Sequence, residues 1–254
     1  MQKKLVVVAS LAVILGSCGR NDLDVALNEI TADRMKEHVA RLSDDLMEGR
    51  GPATRGDSLA TEYIVGQYRL LGLTPAGDNG TYIQKVPIVG TTIDHSAVLE
   101  VKKGSQSKRL KFSDDFVAFT GTYQQVVTVK DADVVFVGYG IVAPEQDWND
   151  YKDVDVRGKV LLMMNNDPAT DDAKFFGGKA RTYYGRWTYK YEIAAKKGAV
   201  GAIIIHTTES AGYPYQVVQT SWSRENFDLA SEAGGDGVKL KAWTTEDATK
   251  KYLS

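Results

Sequence analysis

The three histidines are the residues whose chemistry would be most useful in a catalytic or metal-binding site. They are His38, His95 and His206, and histidine suits such sites because its pKa lies near neutrality and its ring nitrogens bind metal ions. No His-Glu-x-x-His pattern is present, and the pairing of His206 with Glu209 lacks the second histidine of a zinc motif. We therefore interpret His206 as a strand-end histidine hydrogen-bonded to backbone, and His38 as a solvated side chain on a helix.

Motifs for a nucleophile or a bound phosphate are missing from the sequence. There is no Gly-x-Ser-x-Gly elbow, and the only cysteine is Cys18. The glycine pair in Gly138–Gly140 is better explained by a bulge or close packing than by a phosphate loop. Oxygen-rich residues at Asn165–Asp167, followed by Asp171 and Asp172, leave a calcium site open. Their spacing differs from that of an EF-hand, and Asn and Asp commonly form turns and caps.

Aromatic residues crowd the region between residues 183 and 222. Such side chains can line a groove for a peptide or a sugar, because one end of each ring is apolar and the other polar. Packing over the sheet of a small domain is the alternative and explains most of them. The four candidates for a groove are Tyr184, Trp187, Tyr213 and Trp222.

The N-terminus has the features of an exported bacterial lipoprotein. Lys3 and Lys4 precede an apolar run, Leu5–Leu15, that is shorter than the ~20 residues a membrane-spanning helix needs. The ending Leu15–Cys18 (LGSC) matches a lipobox, in which the signal peptide is cleaved before a cysteine that becomes acylated. We predict a signal peptide over residues 1–17, a tether over 18–30 and a membrane anchor at Cys18. Gly19 favours the outer membrane, so the predicted location is the bacterial cell envelope, facing periplasm or exterior.

Composition excludes one class of partner. The formal net charge is -2, and removal of Lys3 and Lys4 leaves 29 basic and 33 acidic residues, a net charge of -4. A nucleic-acid-binding surface needs a basic patch, so we predict no nucleic-acid partner. Acylation of Cys18 would leave no thiol for a disulfide, although the compartment permits disulfides.

Periodicity predicts helices first and short strands afterwards. Apolar spacing indicates a helix from Thr31 to about Met47, a second from about Ser58 to Leu71, and a strand over Tyr82–Val89. Frequent short strands then suggest a sandwich or partial barrel with flanking helices, and so an α+β protein. The predicted strands are Val98–Val101, Leu110–Phe112, Phe116–Phe119, Val126–Val129, Val134–Val137, Val160–Met164, Ala202–Ile205 and Val238–Ala242.

Two further helices complete the prediction. The segment from Thr188 to Lys197 favours a helix that ends at Gly198. Thr244 and Asp247 have the spacing of a capping box. The helix that they would start has barely two turns before Ser254, so we expect it to be truncated.

Two sets of stretches, taken in order, carry a resemblance to a known family. The first set is Leu42–Gly51, Thr54–Asp57, Tyr68–Leu73 and Gly80–Pro87. This succession resembles the N-terminal part of secreted zinc exopeptidases of the leucine-aminopeptidase type, family twenty-eight of the metallopeptidases. The second set is Val135–Ile141, Trp148–Tyr151 with Val156–Val160, and Ala194–Ala199 with Gly201–His206. From about residue 126 the chain thus resembles the protease-associated domain often inserted in those enzymes.

The resemblance implies two zinc ions in an α/β domain that follows the insert, with peptides as substrates. Its first ligand motif reads His-x-Asp-His, and the segment Thr92–His95 matches only the second half and precedes the insert. No metal ligand and no catalytic residue is therefore assigned to this chain, which is expected to bind no cofactor itself.

The domain prediction follows from that resemblance. We expect residues 31–96 to be the N-terminal portion of the peptidase fold, 97–243 the protease-associated domain and 244–254 the start of a truncated helix. The chain would be a non-catalytic portion of a lipid-anchored zinc aminopeptidase, whose α/β catalytic domain is missing here. The alternative is a stand-alone peptide- or protein-binding lipoprotein built on a protease-associated domain.

The lipobox generates the first testable prediction. Replacing Cys18 with alanine should leave an unprocessed precursor without acyl label, because acylation of the cysteine sulfur precedes cleavage of the signal peptide. Metabolic labelling with a fatty acid and the size of the protein on a gel measure both effects. Normal processing and membrane retention of the Cys18→Ala variant would remove the lipoprotein assignment.

Overall fold

The computed structural model describes residues 22–152, 154–230 and 237–252. The predicted signal peptide and the lipidated Cys18 lie outside the described residues. The chain divides into two compact units, the first ending at Lys85 and the second beginning at Val86. None of the helices in the described part combines the length and the apolar character needed to cross a membrane.

The helices and strands are numbered in chain order. The α-helices are α1 (Asp22–Glu29), α2 (Ala32–Leu42), α3 (Arg55–Leu70), α4 (Trp187–Lys196), α5 (Thr208–Ala211), α6 (Tyr215–Trp222) and α7 (Glu246–Tyr252). The strands are β1 (Ile88–Thr91), β2 (Leu99–Lys103), β3 (Gln106–Leu110), β4 (Phe116–Phe119), β5 (Val134–Phe136), β6 (Val142–Ala143), β7 (Trp148–Asn149), β8 (Val160–Met164), β9 (Gly201–His206), β10 (Asn226–Leu229) and β11 (Leu240–Thr245).

The described part of the first unit contains three α-helices, and two helix boundaries differ from the prediction. Thr31 caps α2 by accepting a hydrogen bond from the Arg34 amide, as its residue type indicates. The helix ends at Leu42 rather than at Met47, because Asp44 accepts a bond from the Leu46 amide and starts a separate 3-10 turn. The segment predicted as a tether contains α1, which buries none of its side chains.

Helix α3 begins at Arg55, three residues before the predicted start. Thr54 caps it by accepting a hydrogen bond from the Asp57 amide. Gly56 lies so close to the preceding 3-10 turn that a Cβ atom would be 2.3 Å from the Met47 carbonyl oxygen. Met47 of this turn and Ala60 and Val65 of α3 are buried.

The apolar faces of α2 and α3 are mostly uncovered. Val39 is 64% exposed and Leu70 is 80% exposed, and Met35, Leu46 and Leu71 are also among the exposed large hydrophobic residues. The first unit therefore has only a small core within its described residues.

Most of the predicted strand over Tyr82–Val89 is irregular and lies against a turn. The Asp78 carboxylate accepts a hydrogen bond from the Lys85 amide, which folds this stretch around the turn at Asp78–Gly80. Strand structure starts only after Pro87, which has no amide hydrogen to give to a ladder. Strand β1 then pairs antiparallel with β10.

The second unit is built on an open five-stranded sheet of order β4-β11-β9-β8-β5. The strands β11, β9, β8 and β5 are parallel, and β4 is antiparallel at one edge. Helix α4 connects β8 to β9, and α5 and α6 lie between β9 and β11, as parallel pairing requires. The helices and the mixed sheet confirm the α+β class, and the sheet does not close into a barrel.

Apolar side chains cover both faces of this sheet. One face packs against α4 and α6, and its buried residues include Leu161, Met163, Tyr191, Ile193, Ile204, Val218 and Trp243. The other face lies under the β2–β3 hairpin, and its buried residues include Leu110, Phe116, Leu162, Ile203 and Ala242. Successive apolar side chains along β8 and β9 therefore point alternately into the two apolar layers.

Several predicted elements are confirmed and others shift. Strands β4 and β8 have the predicted bounds, and α4 differs by one residue at each end. Residues 126–129 are not a strand. The capping residue of α7 is Thr245, which accepts a bond from the Ala248 amide, whereas the Thr244 hydroxyl donates to the Asp115 carbonyl oxygen.

The unequal cores predict unequal resistance to proteolysis. We expect protease to remove the region before about Val86 first, because its helices bury little, and to leave a fragment that contains residues 126–242. The pairing of β1 with β10 places this boundary earlier than residue 97. Mass spectrometry of a limited digest identifies the fragment, and its thermal unfolding should remain cooperative. Equal degradation of both units, or greater protection of the helices, would contradict the prediction.

Candidate functional site

The polar side chains of the second unit gather where the parallel strands end. Asn165–Asp167 directly follow β8, His206 is the last residue of β9, and Gly138–Gly140 come shortly after β5. Lys190 of α4 reaches the same place. The carboxyl ends of parallel strands meet at one edge of a sheet, where α/β proteins commonly bind ligands. We call Gly138–Gly140, Asn165–Asp167, Lys190 and His206 the polar edge.

Lys190 is the central group of the polar edge. Its side chain is fully buried, and Nζ donates hydrogen bonds to the carbonyl oxygens of Tyr139 at 2.6 Å and Asn166 at 2.8 Å. The ammonium group also lies 5.9 Å from the ring centroid of Tyr139 and 5.8 Å from that of Tyr189. One side chain therefore connects the loop after β5 to the loop after β8.

Burial changes the acidity of this amine. Desolvation lowers the pKa of Lys190 to about 7, and the nearby carboxylates of Asp167 and Asp150 oppose that shift. Charged and neutral forms of the amine both donate hydrogen bonds. The connection between the two loops is therefore compatible with either form.

The glycine pair makes the first of these loops possible. Gly138 and Gly140 have φ values of 55° and 64°, in the left-handed region that favours glycine. A Cβ atom on Gly140 would lie 2.2 Å from the Met163 sulfur. Close packing, one of the two interpretations of this pair, is what the structure has, and it presents the Tyr139 carbonyl oxygen to Lys190.

The oxygen-rich loop is engaged by protein donors. The Asp167 carboxylate accepts hydrogen bonds from both the amide and the hydroxyl of Thr182. The Asn166 side-chain oxygen accepts a bond from Arg181 Nε at 3.1 Å, and Arg181 Nη2 also donates to the Ser210 carbonyl oxygen at 2.6 Å. With the Lys190 Nζ against its backbone, this loop does not fit a calcium ion.

The other residues of the calcium hypothesis lie in different contacts. Asp171 pairs with Lys179 at 3.0 Å, and the Asp172 carboxylate accepts a bond from the Lys174 amide. Across the described ranges, no three side chains of the types His, Cys, Asp or Glu are grouped so that they could hold a metal ion.

His206 lies in an aromatic environment. Its side chain is 3% exposed, and its ring centroid is 5.7 Å from Tyr213, 5.5 Å from Tyr215 and 5.9 Å from Trp243. Desolvation lowers the pKa of His206, against backbone hydrogen bonds with Tyr213 and with its own residue. Glu209 is exposed on α5. His206 therefore has the strand-end role that the sequence indicates.

The other two histidines contact different residues. His38 lies in the first unit, where its Nδ1 is 2.7 Å from the Tyr63 hydroxyl, so its interpretation as a merely solvated side chain is incomplete. His95 packs against Phe112 at a centroid distance of 5.3 Å. Among the described residues, neither ring belongs to a group of three His, Cys, Asp or Glu side chains that could hold a metal ion.

The four candidate groove residues are only partly brought together. Trp187 and Trp222 are in contact, with ring centroids 5.9 Å apart, and Trp222 also contacts Trp243. Tyr213 joins the same network through His206. Tyr184 stands apart: it packs against Phe176 and Tyr189, and its hydroxyl donates to Glu145 at 2.6 Å. Trp187 is 43% exposed, so one end of the network reaches the surface.

Sequence reasoning missed Lys190. The signal was its position in α4, since it shares a helical face with Ile193 and Ala194 at spacings of three and four. Both are buried. A lysine within an apolar stripe is therefore a candidate for a buried amine.

Comparison with known proteins gives one distant likeness. No family model matches the chain, and no curated protein matches it. Among solved structures, the chain is similar to an aminopeptidase from Aneurinibacillus sp. strain AM-1, with 18% sequence identity and a TM-score of 0.37. The match covers 85% of this chain and 42% of that one.

The contacts of Lys190 predict a large stability effect. Lys190→Met should lower the free energy of unfolding by about 2–4 kcal/mol, because two buried carbonyl oxygens lose their donor. Chemical denaturation measures the loss. The matched control is Lys196→Met on the exposed side of the same helix, which should change stability by no more than about 0.5 kcal/mol. Equal effects of the two substitutions would contradict the role of Lys190.

The lowered pKa adds a pH signature to the same comparison. Between about pH 7 and the ordinary value of 10.5, the unfolded lysine holds a proton that the folded lysine has released. This residue therefore makes stability rise with pH across that window and contributes no slope below it. The difference between wild type and Lys190→Met should follow that course, and a pH-independent difference would contradict it.

Proposed function

We propose that this chain is the N-terminal and protease-associated portion of a lipid-anchored zinc aminopeptidase and that it carries no catalytic group itself. The observation that carries the proposal is the uncovered apolar surface of α2 and α3. A pair of amphipathic helices with a small core needs a further partner to bury its apolar faces. In the proposed parent enzyme that partner is the α/β catalytic domain.

The exposed side chains in the first unit are large and arranged along helices. Val39 on α2 and Leu70 on α3 are exposed by more than half, although burial of such a side chain is worth roughly 1.5–3 kcal/mol. The second unit differs, since it buries Trp243, Tyr191 and Phe116 in cores on both faces of its sheet. This contrast supports a self-sufficient inserted domain and a framework segment that depends on its partner.

The three sequence markers of the protease-associated domain are linked by hydrogen bonds in the second unit. The Asp150 carboxylate accepts a bond from the Ile141 amide, and the Tyr151 hydroxyl donates to the Gly140 carbonyl oxygen. The Gly158 amide donates to the Gly198 carbonyl oxygen at 2.9 Å. The markers therefore form one connected substructure, which supports reading them together as one domain.

The proposed parent reaction is metal-assisted hydrolysis of N-terminal residues from peptides, in which two zinc ions would activate water. The described histidines do not fit the zinc ligand set, so we assign no step of that reaction to this chain. Its contribution would be to anchor the enzyme in the cell envelope through Cys18 and to cover the active site.

A second candidate is a stand-alone peptide- or protein-binding lipoprotein. It is favoured by Trp187, which is 43% exposed at one end of the network with Trp222 and Trp243. Exposed tryptophan next to packed rings is typical of binding surfaces. Tight binding of peptides by the purified chain, without any partner domain, would favour this candidate.

The proposal predicts an inactive chain. Purified residues 19–254 should neither cleave an aminoacyl-anilide nor contain stoichiometric zinc, because no described cluster supplies the ligands. A colorimetric assay and elemental analysis measure the two properties. Bound zinc together with cleavage would overturn the proposal and return attention to His206 and Glu209.

A further inference from the structure

Three buried polar atoms without a hydrogen-bond partner lie on three aromatic rings, of which the His206 ring contacts the other two. Within the described residues they are Nε2 of His206, the hydroxyl of Tyr215 and Nε1 of Trp243. The His206 ring centroid is 5.5 Å from that of Tyr215 and 5.9 Å from that of Trp243. His206 and Trp243 are 3% and 1% exposed, so bulk water cannot satisfy these atoms.

Strand register and the packing of α6 explain why His206 lies near the other two rings. Thr245 is the partner of His206 on the neighbouring parallel strand, and Trp243 precedes Thr245 by two residues. His206 and Trp243 therefore lie on the same face of the sheet. Tyr215 is the first residue of α6, which packs on that face.

A fourth buried group lies on the next strand. Met164 is the partner of Ile205, so Asn165 and His206 stand beside each other at the ends of β8 and β9. The Nδ2 atom of Asn165 is also buried and has no hydrogen-bond partner. By the period of two along a strand, Asn165 follows Leu161 and Met163 on the same face of the sheet. Unsatisfied groups are thus concentrated at one place in the fold.

The hydrogen-bonding roles of these atoms are mixed. The indole of Trp243 only donates, whereas the Tyr215 hydroxyl donates and accepts. The backbone of Tyr213 hydrogen-bonds the His206 ring and favours its protonated form, as a carbonyl acceptor of Nδ1–H does. Nε2 is then the unprotonated nitrogen and an acceptor.

We propose that ordered water is bound between His206, Tyr215 and Trp243, at the carboxyl ends of β9 and β11. Buried polar atoms in native proteins are nearly always paired, and buried water typically makes about three hydrogen bonds. Water is the ligand that matches this set, because one water molecule can both accept from an indole N–H and donate to an imidazole nitrogen. An anion would leave the imidazole nitrogen without a donor, and a metal cation would face the indole N–H.

This water would connect the first turn of α6 to the sheet. Tyr215 would be held by it, and Asn165, which directly follows β8, offers a further donor at the end of the adjacent strand. The inference concerns the second unit alone and does not depend on the proposed function.

The test is the sign of the effect of one removed hydroxyl. In the full mature chain, Tyr215→Phe should lower Tm by about 2–4 °C, because a satisfied hydrogen bond is lost. An unsatisfied hydroxyl would give the opposite result, since its removal relieves a buried orphan group. The control is Tyr68→Phe, where the side chain is 42% exposed and Tm should not change.

A crystal structure of the same chain provides the second measurement. A water peak within about 3.2 Å of at least two of the three atoms is expected. An unchanged or raised Tm for Tyr215→Phe, a direct bond among the three rings, or density for an ion or an organic molecule would overturn the proposal.

Discussion

The carboxyl edge of the sheet depends on the two hydrogen bonds that the buried amine of Lys190 donates. These bonds hold the turns after β5 and β8, and neither turn is part of a strand ladder. Removal of a buried amine from water is costly. Two carbonyl oxygens, two aromatic faces and the carboxylates of Asp167 and Asp150 reduce that cost, and the lowered pKa of Lys190 shows that desolvation outweighs them.

The polar edge combines strongly satisfied and unsatisfied groups. Arg181 and Thr182 tie the Asn165–Asp167 loop to its surroundings, whereas Asn165 Nδ2 and His206 Nε2 have no protein partner. Both kinds of group occur within a few residues of the same strand ends. The edge is thus rigid around Lys190 and has hydrogen-bonding capacity left around His206.

Local sequence patterns predicted the elements that depend on uniform burial or on contacts between residues close in sequence. The run at β8 is apolar because both faces of that strand are buried, and Thr31 and Thr54 cap helices through their own hydroxyls. The end of α2 was missed because the apolar spacing continues to Leu46, whereas Asp44 caps a separate 3-10 turn. The spacing of Lys190 with Ile193 and Ala194 indicates burial, but its partners could not be predicted, because they are backbone carbonyl oxygens of residues distant in sequence. Pairing of β1 with β10 is likewise non-local.

Strand β5 is an open edge of the five-stranded sheet, and its Val134 and Phe136 are exposed. Such an edge is a template for intermolecular β-pairing and aggregation. Three features limit that hazard: the strand is three residues long, Asp133 before it is ion-paired with Lys159, and Gly138 after it turns the backbone into the left-handed region. The glycine turn that presents a carbonyl oxygen to Lys190 thus also ends an edge that could otherwise recruit a second chain.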